Sequence, residues 1–194
     1  SRKEDFAQAA NQQSTYTLEV SQSRGMIYDC QGQSLVNDSF HYMAAVLPHN
    51  ESAATLRSQF ASADLWREKM NSRVPFLTEV NTDAVRGEGV EVFSVPDRYS
   101  MDYTAPHIVG YVDADGVGQT GIERIFNDFL KSVGEKVKVR YQIDAMGRAL
   151  SGNGIEILQE GNRSDGVVLT LYKGLQQACE RILSGAEVNG AIVV

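Results

Sequence analysis

Apolar residues in this chain recur with two different periods, and the switches between them divide it into predicted elements. Residues 16–20 alternate and are rich in β-branched and aromatic side chains, which predicts a strand. A short strand follows near Ile27, closed by an Asp29-x-x-Gly32 turn and a return through Ser34, Leu35 and Val36. Residues 40–47 predict another strand, ended by Pro48. Between 51 and 71 the spacing of Ala54, Leu56, Phe60, Leu65, Trp66 and Met70 predicts one broken or two short helices, with Trp66 as a core anchor. Residues 75–80 and 90–95 read as strands joined by a polar, glycine-containing loop. Residues 136–143 alternate Lys, Val, Lys, Val, Arg, the pattern of a strand with one wet face. Strands at 154–159 and 167–171, an amphipathic helix at 173–183 and an apolar strand at 190–194 complete the series, and a polar helix to about residue 13 opens it.

The stretch 110–130 carries Gly116, Gly118 and Gly121 in a G-x-G-x-x-G arrangement. Behind them Ile122, Ile125, Phe126, Phe129 and Leu130 have helical spacing, predicting a helix over 121–130 with one apolar face. A strand at 107–112 feeding those glycines, and a second strand ending at Asp144, would form a dinucleotide-binding unit. Two features oppose it. Asp113 and Asp115 would repel a pyrophosphate, and the wet-faced second strand does not suit a buried parallel sheet. The same aspartates fit positions one and three of a calcium loop with Gly118 at six, but Val117 stands at five and Arg124 at twelve, where a bidentate Glu is required. A solvated turn accounts for the acidic pair better.

Composition narrows the field further. The 194 residues carry a net charge of −7, so no basic surface is available to neutralise nucleic-acid phosphates or to adhere to an anionic membrane. Cys30 and Cys179 stand far apart, and His41, His49 and His107 have no chelating spacing, so neither metal nor cofactor is expected. There is no signal peptide or apolar span, and both ends look cut, as in a piece of a longer protein.

Five short strings, in one order along the chain, resemble the N-terminal non-catalytic domain of class B penicillin-binding proteins. Arg24, Gly25, Ile27, Asp29 and Gly32 match R-G-x-I-x-D-R-x-G, with Cys30 replacing the second arginine. Arg98 and Tyr99 match arginine-tyrosine-proline, with Ser100 departing. A Pro106-His107-Ile108-Val109-Gly110-Tyr111 run precedes Gly118-x-x-Gly121-x-Glu123, matching G-x-x-G-x-E. Asp144, Gly147 and Arg148 match an aspartate-x-x-glycine-arginine turn. Leu169, Thr170, Leu171 and Gln176 are in register with the last string, but Tyr172 occupies the place of an aspartate.

The resemblance implies an α+β fold of extended antiparallel strands with a few packed helices. Residues 1–165 would form a pedestal or dimerisation domain, with about 38–105 a projecting subdomain, and 166–194 would begin a truncated transpeptidase domain. Arg24 would be a buried or interdomain hydrogen-bonding residue, Gly118 and Gly121 turn and packing glycines, and Glu123 a structural carboxylate near a helix N-terminus. The implied role is to position the chain's own transpeptidase domain and to contact cell-wall polymerase, division or elongation proteins, with pairing of two copies as a further expectation. The parent would be held by one membrane helix, with this part on the extracytoplasmic face.

Catalysis by such a parent requires S-x-x-K, S-x-N and K-T-G. Only Ser151-Gly152-Asn153 matches any of these, so no catalytic residue is expected here. The alternatives are a dinucleotide-binding enzyme using Gly116, Gly118 and Gly121, and a stand-alone extracellular scaffold module.

Overall fold

The computed structural model describes residues 14–48, 54–59, 63–87, 89–101, 103–143, 155–186 and 190–192. In chain order its elements are β1 (Ser14–Gln22), β2 (Met26–Tyr28), β3 (Ser39–Val46), α1 (Ala63–Ser72), β4 (Phe76–Val80), β5 (Val90–Asp97), α2 (Pro106–Val109), α3 (Gly121–Ile125), α4 (Asn127–Val133), β6 (Lys136–Ile143), β7 (Ile155–Glu160), β8 (Gly166–Val168) and α5 (Lys173–Gly185). They form an α+β fold of two compact units, each assembled from three separate segments of the chain.

The first unit comprises Ser1–Gln22, His41–Val95 and Lys136–Glu160. It contains two three-stranded sheets, in the orders β1-β6-β7 and β4-β3-β5. Strand β6 is antiparallel to both β1 and β7. Its alternation has the predicted consequence: Val137, Val139 and Tyr141 are buried, while Lys136, Lys138 and Arg140 lie on the opposite face. On that outer face Lys138 pairs with Glu19 and Arg140 with Glu156. These exposed pairs contribute little, about 0–1 kcal/mol each.

The second sheet is buried on both faces. Ala45, with Met43, Leu47, Leu77, Phe93 and Val95, packs against Val20, Val139 and Tyr141 of the first sheet. Ala44, Val46, Phe76, Val80 and Val90 point the other way, toward Leu56 and Trp66. Trp66 on α1 is thus a core anchor, as its spacing predicts. Sequence order does not give the pairing, however. The strands at 76–80 and 90–97 do not form a hairpin with each other, because β3 lies between them.

The second unit comprises Ser23–Phe40, Pro96–Glu135 and Gly161–Val194. Its core gathers Ile27, Leu35, Val36, Ala105, Val109 and Leu130. Here β2 pairs in parallel with β8, joining residues about 140 positions apart (Ile27 with Val167). The predicted strand at 167–171 is correspondingly only Gly166–Val168. Residues 190–192, predicted as strand, have no regular structure.

Two further expectations are corrected in this unit. The predicted strand at 107–112 is instead the helical turn α2, with Pro106 at its first position and Ala105 in the left-handed region before it. The predicted helix at 121–130 is interrupted at Phe126, whose φ of −105° and ψ of 23° leave the helical range, giving α3 and α4. Its apolar face is only partly used. Leu130 is buried and Ile122 packs on the core, but Ile125, Phe126 and Phe129 are exposed.

The opening helix, and Asp144, Gly147 and Arg148, lie outside the described residues. No helix among the described residues is long and apolar enough to cross a membrane.

Candidate functional site

Glu123 is fully buried near the start of α3, yet it is charged chemistry in an apolar unit. A buried carboxylate persists only when partners replace its lost hydration. Here two arginines and a tyrosine supply them. Arg24 Nε donates to Oε2 at 3.0 Å, and Arg98 Nε donates to Oε1 at 2.6 Å. The Tyr99 hydroxyl donates to Oε1 at 3.1 Å. Arg98 Nη2 also lies 2.6 Å from Oε1, as an ion-pair contact rather than a directed hydrogen bond.

Each arginine also reaches backbone carbonyls with its other donors. Arg24 Nη1 donates to the Gly116 carbonyl at 2.8 Å and to Asn127 Oδ1 at 3.2 Å, and Nη2 to the Glu123 carbonyl at 3.3 Å. Arg98 Nη1 donates to the Gly25 carbonyl at 2.7 Å. The planar guanidinium, with several fixed donors, suits this work in a way a lysine ammonium cannot. Burial, followed by the Glu123 charge, pushes the Tyr99 hydroxyl well above its usual titration range, and the same two causes raise Tyr103.

The glycines of the 116–121 stretch are explained by this clasp. A Cβ on Gly118 would lie 2.0 Å from the Glu123 carbonyl oxygen, so no side chain fits there. Gly121 has φ of 57°, and a Cβ there would lie 2.3 Å from the Ile108 carbonyl oxygen. Asn127 secures the same corner, its Oδ1 accepting from the Gly118 N–H at 2.9 Å. At Gly118 and Gly121 the space that a pyrophosphate would need is filled by the protein's own backbone. The segment entering the glycines is a helical turn and an isolated bridge between Val112 and Gly118, not the strand such a site requires.

Asp113 is likewise occupied internally. Its Oδ1 accepts from the N–H groups of Asp115 and Val117, and Oδ2 from Gln119 Nε2 at 2.6 Å. This is an Asx turn. Among the described residues no group of three or more His, Cys, Asp or Glu side chains is placed to hold a metal.

Asp29 forms a second buried anchor. Its Oδ1 accepts from the N–H groups of Gln31 and Gln33, and Oδ2 from the N–H of Lys173, 144 residues away in sequence. Burial raises its pKa, but the backbone donors of Lys173, Gln33 and Gln31 and the Lys173 charge outweigh it, holding the carboxyl below the usual range. Gly32 completes the turn, its N–H donating to the Asp29 carbonyl at 3.1 Å. Cys30 and Cys179 are free thiols.

The structure therefore brings Arg24, Gly25, Arg98, Gly118, Gly121 and Glu123 to one place, and puts Asp29 and Gly32 in a separate turn. Sequence reasoning omitted Asn127 and Lys173 from the site residues. Neither carries a local signal: Lys173 meets Asp29 from 144 residues away, and Asn127 joins the nearby Gly118 N–H to Arg24, 103 residues away. In the clasp every charged oxygen is already engaged, so the group holds backbone segments together and offers no free base or nucleophile.

No protein-family model matches the chain, and no curated protein matches it. Solved structures do. One is a peptidoglycan synthetase from Bifidobacterium adolescentis, with a TM-score of 0.53 and 22% identity over 90% of this chain and 39% of that one. Others are a peptidoglycan synthase complex, at TM-score 0.47 and 20% identity over 95% of this chain and 35% of that one, and penicillin-binding protein 2X from Streptococcus thermophilus, at TM-score 0.47 and 18% identity over 88% and 31%. The first shows that the fold is one found within a peptidoglycan synthetase, of whose length this chain spans 39%.

Proposed function

We propose that this chain is the non-catalytic N-terminal module of a class B penicillin-binding transpeptidase. The observation that carries the proposal is the Arg24–Glu123–Arg98 clasp. Three strings that resemble separate motifs of that family, distant in sequence, meet in it through Glu123, whose partners include Tyr99 from the same arginine-tyrosine string. Chance matches to short patterns have no reason to converge on one buried carboxylate.

On this reading the module positions the transpeptidase domain that residues 166–194 begin, and presents surfaces to cell-wall polymerase, division or elongation proteins on the extracytoplasmic face. A single membrane helix anchors the parent. The chain itself neither acylates nor retains penicillin, because S-x-x-K and K-T-G are absent from it.

The deciding experiment is to sequence the parent gene past both ends and to expose this chain to a fluorescent penicillin. A membrane-spanning run upstream, S-x-x-K some tens of residues downstream and an unlabelled chain are expected. A reading frame without that motif, or covalent labelling of the chain, overturns the proposal.

A further inference from the structure

Helix α5 is thirteen residues long and amphipathic, yet none of its residues is buried. Leu175 and Ile182 on it are 42% and 63% exposed. Since apolar stabilisation scales with the area removed from water, the core of the unit does little to hold this helix. A groove of about 900 Å³ runs between it and the α2 turn, lined among others by Tyr103, Pro106, Ile108, Gln177 and Leu183. The helix touches its unit at discrete polar points.

Those points are well defined. At the start of α5, Asp29 Oδ2 accepts the Lys173 N–H at 3.0 Å, and Lys173 Nζ donates to the Ser34 carbonyl at 2.7 Å. One turn on, Gln177 Nε2 donates to Thr104 Oγ1 at 3.0 Å. Near the middle, Glu180 Oε1 accepts the Ala105 N–H at 2.9 Å and is steadied by Gln176 Nε2 at 2.8 Å. The groups on the other side of these contacts are enclosed by the unit, because Asp29, Thr104 and Ala105 are all buried.

Ala105 is the unusual partner. Its φ of 55° and ψ of 50° lie in the left-handed region, which is strained for a residue with a Cβ. In that conformation its N–H reaches Glu180 while its carbonyl accepts from the N–H groups of Ile108 and Val109. Strain of this kind persists only where neighbouring contacts enforce it.

We propose that Asp29 and Glu180 form a two-point clamp that sets the direction of α5 against the rest of its unit, and that Glu180 also holds Ala105 in its strained conformation. Loss of the Glu180 contact frees the helix and relaxes the α2 turn together. That the clamp aims a following catalytic domain rests on the function proposed above. The clamp itself is a property of this unit and stands or falls separately.

The test is hydrogen exchange, followed by mass spectrometry, on the whole chain and on Glu180→Ala and Glu180→Gln. In Glu180→Ala, amides of α5 and of residues 105–110 are expected to exchange about ten- to a hundredfold faster, the size set by one hydrogen bond to a charged group. Glu180→Gln keeps an acceptor oxygen at the same place and stays close to the parent chain. Peptides covering Asn127–Val133 keep their protection in both. Unchanged exchange in Glu180→Ala, or acceleration that spreads equally through Asn127–Val133, overturns the clamp. Penicillin labelling or a parent gene without S-x-x-K would end the functional proposal and leave this result untouched.

Discussion

Arg24 and Glu123, 99 residues apart in sequence, meet as a buried ion pair, with Arg24 Nε and Nη2 both 3.0 Å from Glu123 Oε2. The carboxylate is shared with Arg98, so a single negative charge answers two guanidinium groups. Removing it leaves the buried Arg24 and the largely enclosed Arg98 uncompensated. Glu123→Gln is therefore expected to cost about 3–5 kcal/mol, read from urea unfolding of the chain. A loss under about 1 kcal/mol would mean that the clasp is solvated and contributes no more than a surface pair.

Gly118 has a sharper steric requirement than Gly116. Gly118→Ala places a Cβ 2.0 Å from the Glu123 carbonyl oxygen, a backbone atom that cannot rotate away. Destabilisation at or above the upper end of the usual overpacking range, about 3 kcal/mol, is expected in the same urea assay. Gly116→Ala is the comparison, since a Cβ there meets nothing within 4 Å and only its φ of 68° opposes the change. It should cost about 1–2 kcal/mol. Equal losses at the two positions would contradict the close packing.

The depressed Asp29 carboxyl gives a pH signature. Because its folded pKa lies below the unfolded value, its contribution is complete above about pH 4 and is lost as the pH falls through the folded value. Stability of the parent chain and of Asp29→Asn, followed by thermal unfolding from pH 7 down to pH 2, should differ most near neutrality and converge in acid. Parallel curves throughout would show that the folded and unfolded states bind the Asp29 proton equally, so that the fold does not hold its carboxyl below the usual range.

Tyr141 offers a gain rather than a loss. Its ring belongs to the core between the two sheets, but its buried hydroxyl has no hydrogen-bond partner among the described residues. Burial, then the charge of Glu91, pushes the hydroxyl pKa well above its usual range. Tyr141→Phe keeps the ring and removes the unpaired group, so it is expected to raise stability by about 1 kcal/mol and lift Tm by a few degrees. A lower Tm would reveal a bridging partner for the hydroxyl.

Periodicity alone determined a good part of this protein. The alternation of residues 136–143 placed Val137, Val139 and Tyr141 inside and the lysines outside, and the spacing around Trp66 made it a core residue. Such patterns are legible because burial follows from local geometry with a fixed repeat. The same logic misread residues 107–112, where apolar content suggested a strand and Pro106 with a left-handed Ala105 made a helical turn. Arg24, Glu123 and Asp29 could be singled out in the sequence through their motif neighbours, but their partners could not. That Arg24 and Arg98 share Glu123, that β2 pairs with β8, and that Asp29 holds the start of α5 were decided only by the tertiary structure. A buried charge takes whichever partner the fold brings within about 3 Å, and no local pattern encodes which distant segment that will be.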